Sequence, residues 1–213
     1  MLQIIKKEIM LEFRQRFALN GLLLYLLGIL MMLYVSFMNV DAFTWVVLFW
    51  IIIFFTSISA IAKSFTLEPN NRYLYYYSLV KPHQLIVAKM VYNALLLLLL
   101  SCVTWVLYTI ILGDYVLNKW VFFLTLIFGS VCISSLLTVM SAIASKSGNS
   151  STVMSILSLP ILLPVLLLLI KITIYSVENN SVSVPYNDLA FLILLNAITL
   201  ILAIILFPFL YND

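Results

Sequence analysis

The stretch that decides the fold runs from Met90 to Gly113 and reads MVYNALLLLLLSCVTWVLYTIILG, without a charged side chain between Lys89 and Asp114. An α-helix needs about 20 apolar residues to cross the hydrocarbon core of a bilayer. The six consecutive leucines at 95–100 exclude a membrane β-strand, in which apolar and polar side chains alternate. Because lipid offers no partner for an unpaired backbone group, this stretch is predicted to be a transmembrane helix.

The composition of the whole chain indicates the same environment. Its 213 residues are 65% hydrophobic and 9% charged, and the mean hydropathy is +1.19. A soluble domain is about 45–50% apolar and about 25% charged. Too few polar side chains are present to cover a water-soluble surface, which excludes a soluble enzyme, a disordered chain and a disulfide scaffold. The chain is predicted to be an integral membrane protein.

Five further charge-free stretches resemble the first, and every other charge-free stretch is shorter than ten residues. They predict an all-α membrane protein with six transmembrane helices in a single transmembrane domain over residues 1–213. The predicted spans are Leu19–Met38, Phe43–Ala62, Ile86–Leu112, Val121–Ser145, Val153–Tyr175 and Leu189–Leu210.

The distribution of Lys and Arg predicts the orientation, since cytoplasmic loops carry the excess of these residues. An inside N-terminus places nine of the 11 on the cytoplasmic side, including Lys89, and only Lys119 and Lys171 outside. Both termini are therefore predicted to be cytoplasmic. The net charge of +3 follows from this topology and does not indicate a nucleic-acid surface. Residues 1–18 carry apolar side chains at helical spacing, which predicts an interfacial helix and not a cleaved signal peptide.

The chemistry of catalysis is missing from the sequence. The predicted spans contain no Asp or Glu, and the one histidine is His83, at the end of a loop. No phosphate-binding loop, metal-binding spacing or nucleophile motif occurs. The chain is therefore predicted to be a non-catalytic subunit that binds no cofactor and no metal. Lys171 is the ionisable side chain expected inside a span, near its outer end, where snorkelling to the interface explains it.

Two spans carry features that point to packing and movement. Pro160 and Pro164 lie within the fifth span, where each removes a backbone hydrogen bond and favours a kink. A ridge of small residues at four-residue spacing in the fourth span predicts close helix packing. The ridge consists of Ser130, Ser134, Thr138 and Ala142.

The loop between the second and third spans, Lys63–Lys81, is the largest cytoplasmic piece and is rich in tyrosine. Tyrosine is common at bilayer interfaces, so an interfacial belt explains the segment. A docking element for a partner protein explains it equally, because aromatic residues and Arg are enriched at interface cores. The candidate docking residues are Glu68, Arg72, Tyr73, Tyr76 and Tyr77.

Two segments carry a resemblance to a known family. One runs from Ser78-Leu79-Val80-Lys81-Pro82 to Val87-Ala88-Lys89, and the other joins Ser147-Gly148-Asn149 to the double-proline run 157–166. Together they resemble the heme exporter protein B (CcmB) family, the permease subunit of the ABC complex for cytochrome c maturation. The chain departs from the family pattern at Asn70 and Asn149, where glycines are expected.

The resemblance implies a fold like that of ABC exporter permeases and a place in the bacterial inner membrane. It also implies a cytoplasmic ABC ATPase that binds ATP, a second copy of this chain and a heme-handling membrane subunit. Heme is the cargo that it suggests. The four tryptophans are scattered along the sequence, at 45, 50, 105 and 120, so heme ligation by this chain is not expected.

Two other interpretations remain open on the sequence alone. An ABC permease for a lipid or a drug would have the same spans and the same need for an ATPase. A membrane scaffold without a conduction path would share the spans alone. Neighbouring genes for cytochrome c assembly would separate the heme exporter subunit from a lipid or drug permease. A cavity along the interface of two copies would separate either permease from the scaffold.

Overall fold

The computed structural model describes the backbone of residues 16–37, 40–62, 82–145, 150–178 and 186–212, and within these ranges it is helical with no strand. The six predicted helices are confirmed. In chain order they are α1 (Arg16–Ser36), α2 (Ala42–Ile61), α3 (Pro82–Leu112), α4 (Lys119–Ala144), α5 (Ser150–Glu178) and α6 (Tyr186–Asn212). Five of them, α2 to α6, are long and apolar enough to cross a membrane, whereas the side chains of α1 are described only over a shorter apolar segment, Asn20–Ser36.

The helices extend past the apolar spans by a few residues. Helix α3 begins at Pro82 and includes His83, which the sequence analysis assigned to a loop. Proline is well suited to a first helical turn, because the missing N–H has no partner there. Helix α5 begins at Ser150, three residues before the predicted span at Val153. A helix can continue beyond the hydrocarbon core, so the length of the apolar stretch underestimates the length of the helix.

Contacts between loops and helix ends show an up-and-down bundle. Tyr115, between α3 and α4, donates its hydroxyl to the Val40 carbonyl at 2.7 Å. At the opposite end, the Ser141 hydroxyl lies 3.4 Å from the Ile61 carbonyl, which places the end of α4 beside the end of α2. We name the end where α1 begins and α6 ends the termini end, and the other the far end. Assignment of the termini end to the cytoplasm stays a prediction.

Helix α4 lies at the centre of the bundle and packs against α2, α3, α5 and α6. In its most apolar 18-residue window 72% of the residues are buried, against 22% in α6. Small side chains along α4 let neighbouring backbones approach closely, as is common where helices pack in membranes. One buried core draws side chains from all six helices.

Candidate functional site: a buried polar layer and a proline-bearing helix

A polar contact joins α3 to α4 inside the bundle. The amide nitrogen of Asn93 donates to the Thr138 hydroxyl at 2.8 Å, and that hydroxyl donates to the Ser134 carbonyl at 2.6 Å. Asn93, Ser134 and Thr138 are all buried. A buried polar group that lost its partner would carry a desolvation cost of about 1–3 kcal/mol, so this contact fixes the register of the two helices.

A second polar contact joins α4 to α6. The hydroxyls of Ser135 and Thr199 lie 3.1 Å apart, and the Asn196 amide oxygen is 3.4 Å from the Ser135 hydroxyl. The Ser135 hydroxyl also donates to the Cys132 carbonyl at 2.9 Å. We call these two contacts the polar layer. It links α3, α4 and α6 through side chains that carry no charge.

Lys89 is the buried cation of the described residues, with 1% of its surface exposed. The sequence analysis assigned it to the cytoplasmic side and named Lys171 as the ionisable side chain within a span. Helix α3 begins at Pro82 and so places Lys89 two turns inside the helix. The sequence analysis did not predict this burial, and the assignment of Lys89 to the cytoplasmic side stays a prediction. The Lys171 side chain is 58% exposed, and its ammonium lies 2.8 Å from the Asp188 carboxylate.

Lys89 lies next to the polar layer along α3. It precedes Asn93 by four residues on α3, and residues four apart are neighbours on a helix surface. The residues beside it in sequence, Ala88 and Met90, are buried too. Among the described residues, no three His, Cys, Asp or Glu side chains lie close enough together to hold a metal ion.

The four ridge residues of α4 lie in the bundle interior. Ser130, Ser134, Thr138 and Ala142 are at most 4% exposed. Ser130 and Ser134 turn their hydroxyls back onto carbonyls of their own helix, at 2.6 Å from Leu126 and 3.0 Å from Val131. Such back-bonding satisfies a hydroxyl without a partner helix. Their role in close packing stays a prediction.

Gly129, next to that ridge, was not singled out by the sequence analysis. A Cβ atom at this position would lie 2.9 Å from the Leu169 Cδ2 atom and 2.9 Å from the Trp50 Cη2 atom. These distances are shorter than real carbon contacts, so α2, α4 and α5 meet where only glycine fits. The sequence shows Gly129 as the one glycine of a serine-rich span. It does not show that Trp50 and Leu169 pack against this glycine.

Pro160 and Pro164 lie inside α5, which continues on both sides of them. Both are exposed within the single chain. Because proline has no N–H, the carbonyls of Ile156 and Pro160 lose their helical donors. Their exposure places both prolines on the outer surface of the bundle, and the predicted kink itself stays a prediction.

Three of the four tryptophans come together at the far end, although they are scattered in the sequence. The rings of Trp45 and Trp105 lie 6.1 and 5.3 Å from that of Phe122, and Trp50 joins the cluster through Phe49 at 5.6 Å. The indole nitrogens of Trp45 and Trp105 are buried without a hydrogen-bond partner. The cluster extends the core of α2, α3 and α4, and spacing along the chain did not reveal it.

The remaining predicted site residues lie outside the part of the chain that the structure describes. These are the docking candidates Glu68, Arg72, Tyr73, Tyr76 and Tyr77, together with most of the predicted interfacial helix at 1–18, of which only the last three residues belong to α1.

A scan of family models matches the CcmB protein family over residues 1–212. The chain belongs to the CcmB family. The resemblance carried by the two segments around Ala88-Lys89 and the double proline is thereby confirmed. CcmB proteins are membrane subunits of the heme exporter for cytochrome c maturation, and this chain is accordingly a multi-pass membrane permease subunit. No curated protein and no solved structure matches it.

Proposed function

We propose that this CcmB chain couples ATP hydrolysis by a separate cytoplasmic ABC ATPase to heme export, or to release of a heme-loaded periplasmic chaperone, in the bacterial inner membrane. The observation that carries the proposal is the family match over residues 1–212. The absence of any phosphate-binding motif from the sequence supports a division of labour in which the partner binds ATP. Heme is then cargo of the complex and not a cofactor of this chain.

The complex contains a second copy of this chain and a heme-handling membrane subunit. Helix α4 packs against four other helices, and over the described residues its buried faces are filled by their side chains. A path would therefore lie between two copies. Closed homo-oligomers of two identical subunits are the commonest arrangement, which supports a pair of facing permeases.

The geometry of the bundle suggests how movement would pass through this chain. The docking candidates lie in the sequence between the end of α2 and the start of α3, so an ATPase that pushes them would displace α3. Helix α3 is joined to α4 by Asn93 and Thr138, and α4 is joined to α6 by Ser135 and Thr199. Displacement of α3 would then be transmitted through the polar layer.

The test is complementation in a bacterium that lacks its own copy of this gene. We expect the deletion strain to lose the heme stain of cytochrome c, whose heme is covalently bound, while it keeps normal levels of b-type heme. The plasmid-borne chain should restore the stain. The matched control is the same plasmid with Asn93→Leu. This variant breaks the polar layer without adding charge and should restore less of the cytochrome c heme stain. Normal cytochrome c in the deletion strain would favour the lipid or drug permease.

A scaffold without a conduction path gives a different result. It would restore cytochrome c even when the partner ATPase carries an inactive nucleotide site, because assembly alone would suffice. We expect no restoration in that background. Measurement of both backgrounds in parallel therefore separates the coupled permease from the scaffold.

A further inference from the structure

Helix α5 consists of two halves on either side of its prolines. The near half, residues 150–159, starts at the termini end, and the far half, residues 165–178, finishes at the far end. The carbonyls of Ile156 and Pro160 lose their helical hydrogen bonds to Pro160 and Pro164, and that loss weakens the helix where the halves meet. Each half can therefore be held by different neighbours.

The far half is fixed to three other parts of the bundle. The Trp50 indole N–H on α2 donates to the Thr173 hydroxyl at 2.8 Å, and both side chains are buried. The backbone N–H groups of Leu117 and Asn118, before α4, donate to the Ser176 carbonyl at 3.1 and 2.9 Å. On the exposed side of α5, the Lys171 ammonium pairs with the Asp188 carboxylate of α6.

Packing adds to these bonds. Leu169 lies against Gly129 so closely that no Cβ atom fits between them. The far half buries seven side chains, which are Val165, Leu166, Leu169, Ile172, Thr173, Ser176 and Val177. Lipid is as apolar as these side chains, so helices in a membrane are held together by close packing and hydrogen bonds. The far half makes both kinds of contact.

The near half is held less. Among its described side chains, Met154 and Ser158 are buried, whereas Ile156, Leu157 and Leu159 are exposed. Ser158 turns its hydroxyl to the Ser155 carbonyl of the same helix at 3.1 Å. The face that the near half shares with Pro160 and Pro164 therefore lies open along two turns of the helix.

We infer that α5 is a lever with a fixed far half and a moving near half, and that the two prolines form its hinge. The moving half is at the termini end, where the docking candidates also attach to α2 and α3. The bonds at Thr173 and Ser176 hold the far half in place, so the movement is confined to the near half. That ATP drives the lever rests on the proposed function, but the hinge itself does not.

The first test needs no nucleotide and uses the full chain in lipid nanodiscs. Spin labels are placed at Leu157→Cys and Trp120→Cys, or at Leu167→Cys and Trp120→Cys, with Cys102→Ala in each variant and labelled chains diluted with unlabelled ones. All three labelled positions are exposed. We expect a broader distance distribution for the pair with position 157 than for the pair with position 167. Equal widths would overturn the lever.

Two variants test the hinge and the hydrogen bond from Trp50 to Thr173, which we call the clamp. Pro160→Ala with Pro164→Ala restores both backbone hydrogen bonds and should narrow the 157 distribution to the width of the 167 distribution. Trp50→Phe keeps an aromatic ring but removes the N–H donor to Thr173 and should broaden the 167 distribution. An unchanged 157 distribution in the proline-free chain would contradict the hinge, and an unchanged 167 distribution in Trp50→Phe would contradict the clamp.

The second test uses the complex with its ATPase trapped by vanadate. We expect the 157–120 distance to shift and the 167–120 distance to stay. Equal shifts of both would show that α5 moves as a rigid rod and would overturn the lever. If no ATPase associates with the chain, the proposed function fails while the nucleotide-free widths still decide the hinge.

Discussion

Single residues set the closest contacts of this bundle, and Gly129 is the clearest case. Two side chains from different helices, Trp50 and Leu169, occupy the space that a Cβ atom would need. Leu169 can rotate a methyl group, but the Trp50 ring is rigid and its N–H is committed to Thr173. Any added carbon therefore displaces α2 or α5 from α4.

We expect Gly129→Ala to lower the thermal unfolding temperature of the detergent-solubilised protein, because overpacking a core costs about 1–3 kcal/mol. The matched control is Gly28→Ala in α1, where a new Cβ atom meets nothing within 4 Å. Alanine is favoured over glycine within a helix by about 1 kcal/mol, so the control should be neutral or slightly stabilised. Equal unfolding temperatures for the two variants would contradict the close contact.

Asp41 caps α2 at the far end. Its carboxylate accepts from the Thr44 hydroxyl and from the Thr44 backbone N–H, and these two hydrogen bonds hold the pKa of Asp41 below its usual 3.8. A lowered carboxyl pKa stabilises the folded state fully above the unfolded pKa, and the stabilisation is lost as the pH falls through the folded pKa.

We expect Asp41→Ala to unfold at a lower temperature than the wild type at neutral pH. Below pH 3.8 the difference should shrink, because the wild-type carboxylate becomes protonated and accepts these bonds less well. The measurement is thermal unfolding in detergent from pH 7 downward, with Asp114→Ala as the control for loss of a far-end charge. A difference that is constant with pH would show that the cap is not ionised.

At the scale of single elements, α5 is where sequence pattern and structure combine most directly. The two prolines were visible in the sequence, but the exposure of both on one side of the bundle was not. Their neighbours on the same surface, Leu159 and Leu163, are exposed as well. Substitution of these leucines therefore shows the effect of lost surface contacts alone, against which the effect of the proline substitutions can be compared.

We expect Pro160→Ala with Pro164→Ala to leave the chain inserted and assembled with its partners but to abolish cytochrome c maturation, because the restored hydrogen bonds straighten and stiffen α5. Leu159→Ala with Leu163→Ala is the matched control and should retain maturation. Heme staining of cytochrome c and copurification of the ATPase provide the two measurements. Full maturation in the proline-free chain would show that the prolines are incidental.

The loop between α2 and α3 gives the second prediction for an element. Tyr73 and Tyr77 are four residues apart in the sequence, a spacing that predicts a shared face in a helix. If they anchor in an ATPase groove, truncation of such an aromatic costs about 2 kcal/mol or more. We expect Tyr73→Ala with Tyr77→Ala to release the ATPase from membranes, and Tyr75→Ala, on the opposite face, to retain it. Normal copurification of the ATPase with the double variant would favour the interfacial belt.

At the scale of the whole molecule, this chain belongs to a family of exporter membrane subunits, and its sequence carries no phosphate-binding motif. We expect the purified chain in nanodiscs to release no phosphate from ATP, and addition of the ABC ATPase to produce release. A partner ATPase with an inactive nucleotide site serves as the control and should give none. ATPase activity of the chain alone, abolished by a substitution within it, would overturn the proposed division of labour.

The number, order and approximate bounds of the helices followed from the sequence. Bilayer thickness fixes the length of a span, and charges are too costly to lie at random within it. The uncharged stretches therefore marked six helices, and the structure places a helix on each of them. The two segments around Ala88-Lys89 and Pro160–Pro164 were enough to indicate the CcmB family, because motif residues can be recognised without their neighbours.

Only the tertiary structure decided which side of each helix faces its neighbours. Spans that are apolar all round carry no stripe to mark a buried face, so the inward position of Lys89, the close contact at Gly129 and the aromatic cluster around Phe122 were not predictable. The clamp between Trp50 and Thr173 joins residues 123 positions apart. Composition and local spacing set the helices of this chain, whereas long-range packing set which residues hold α5 and which leave it free to move.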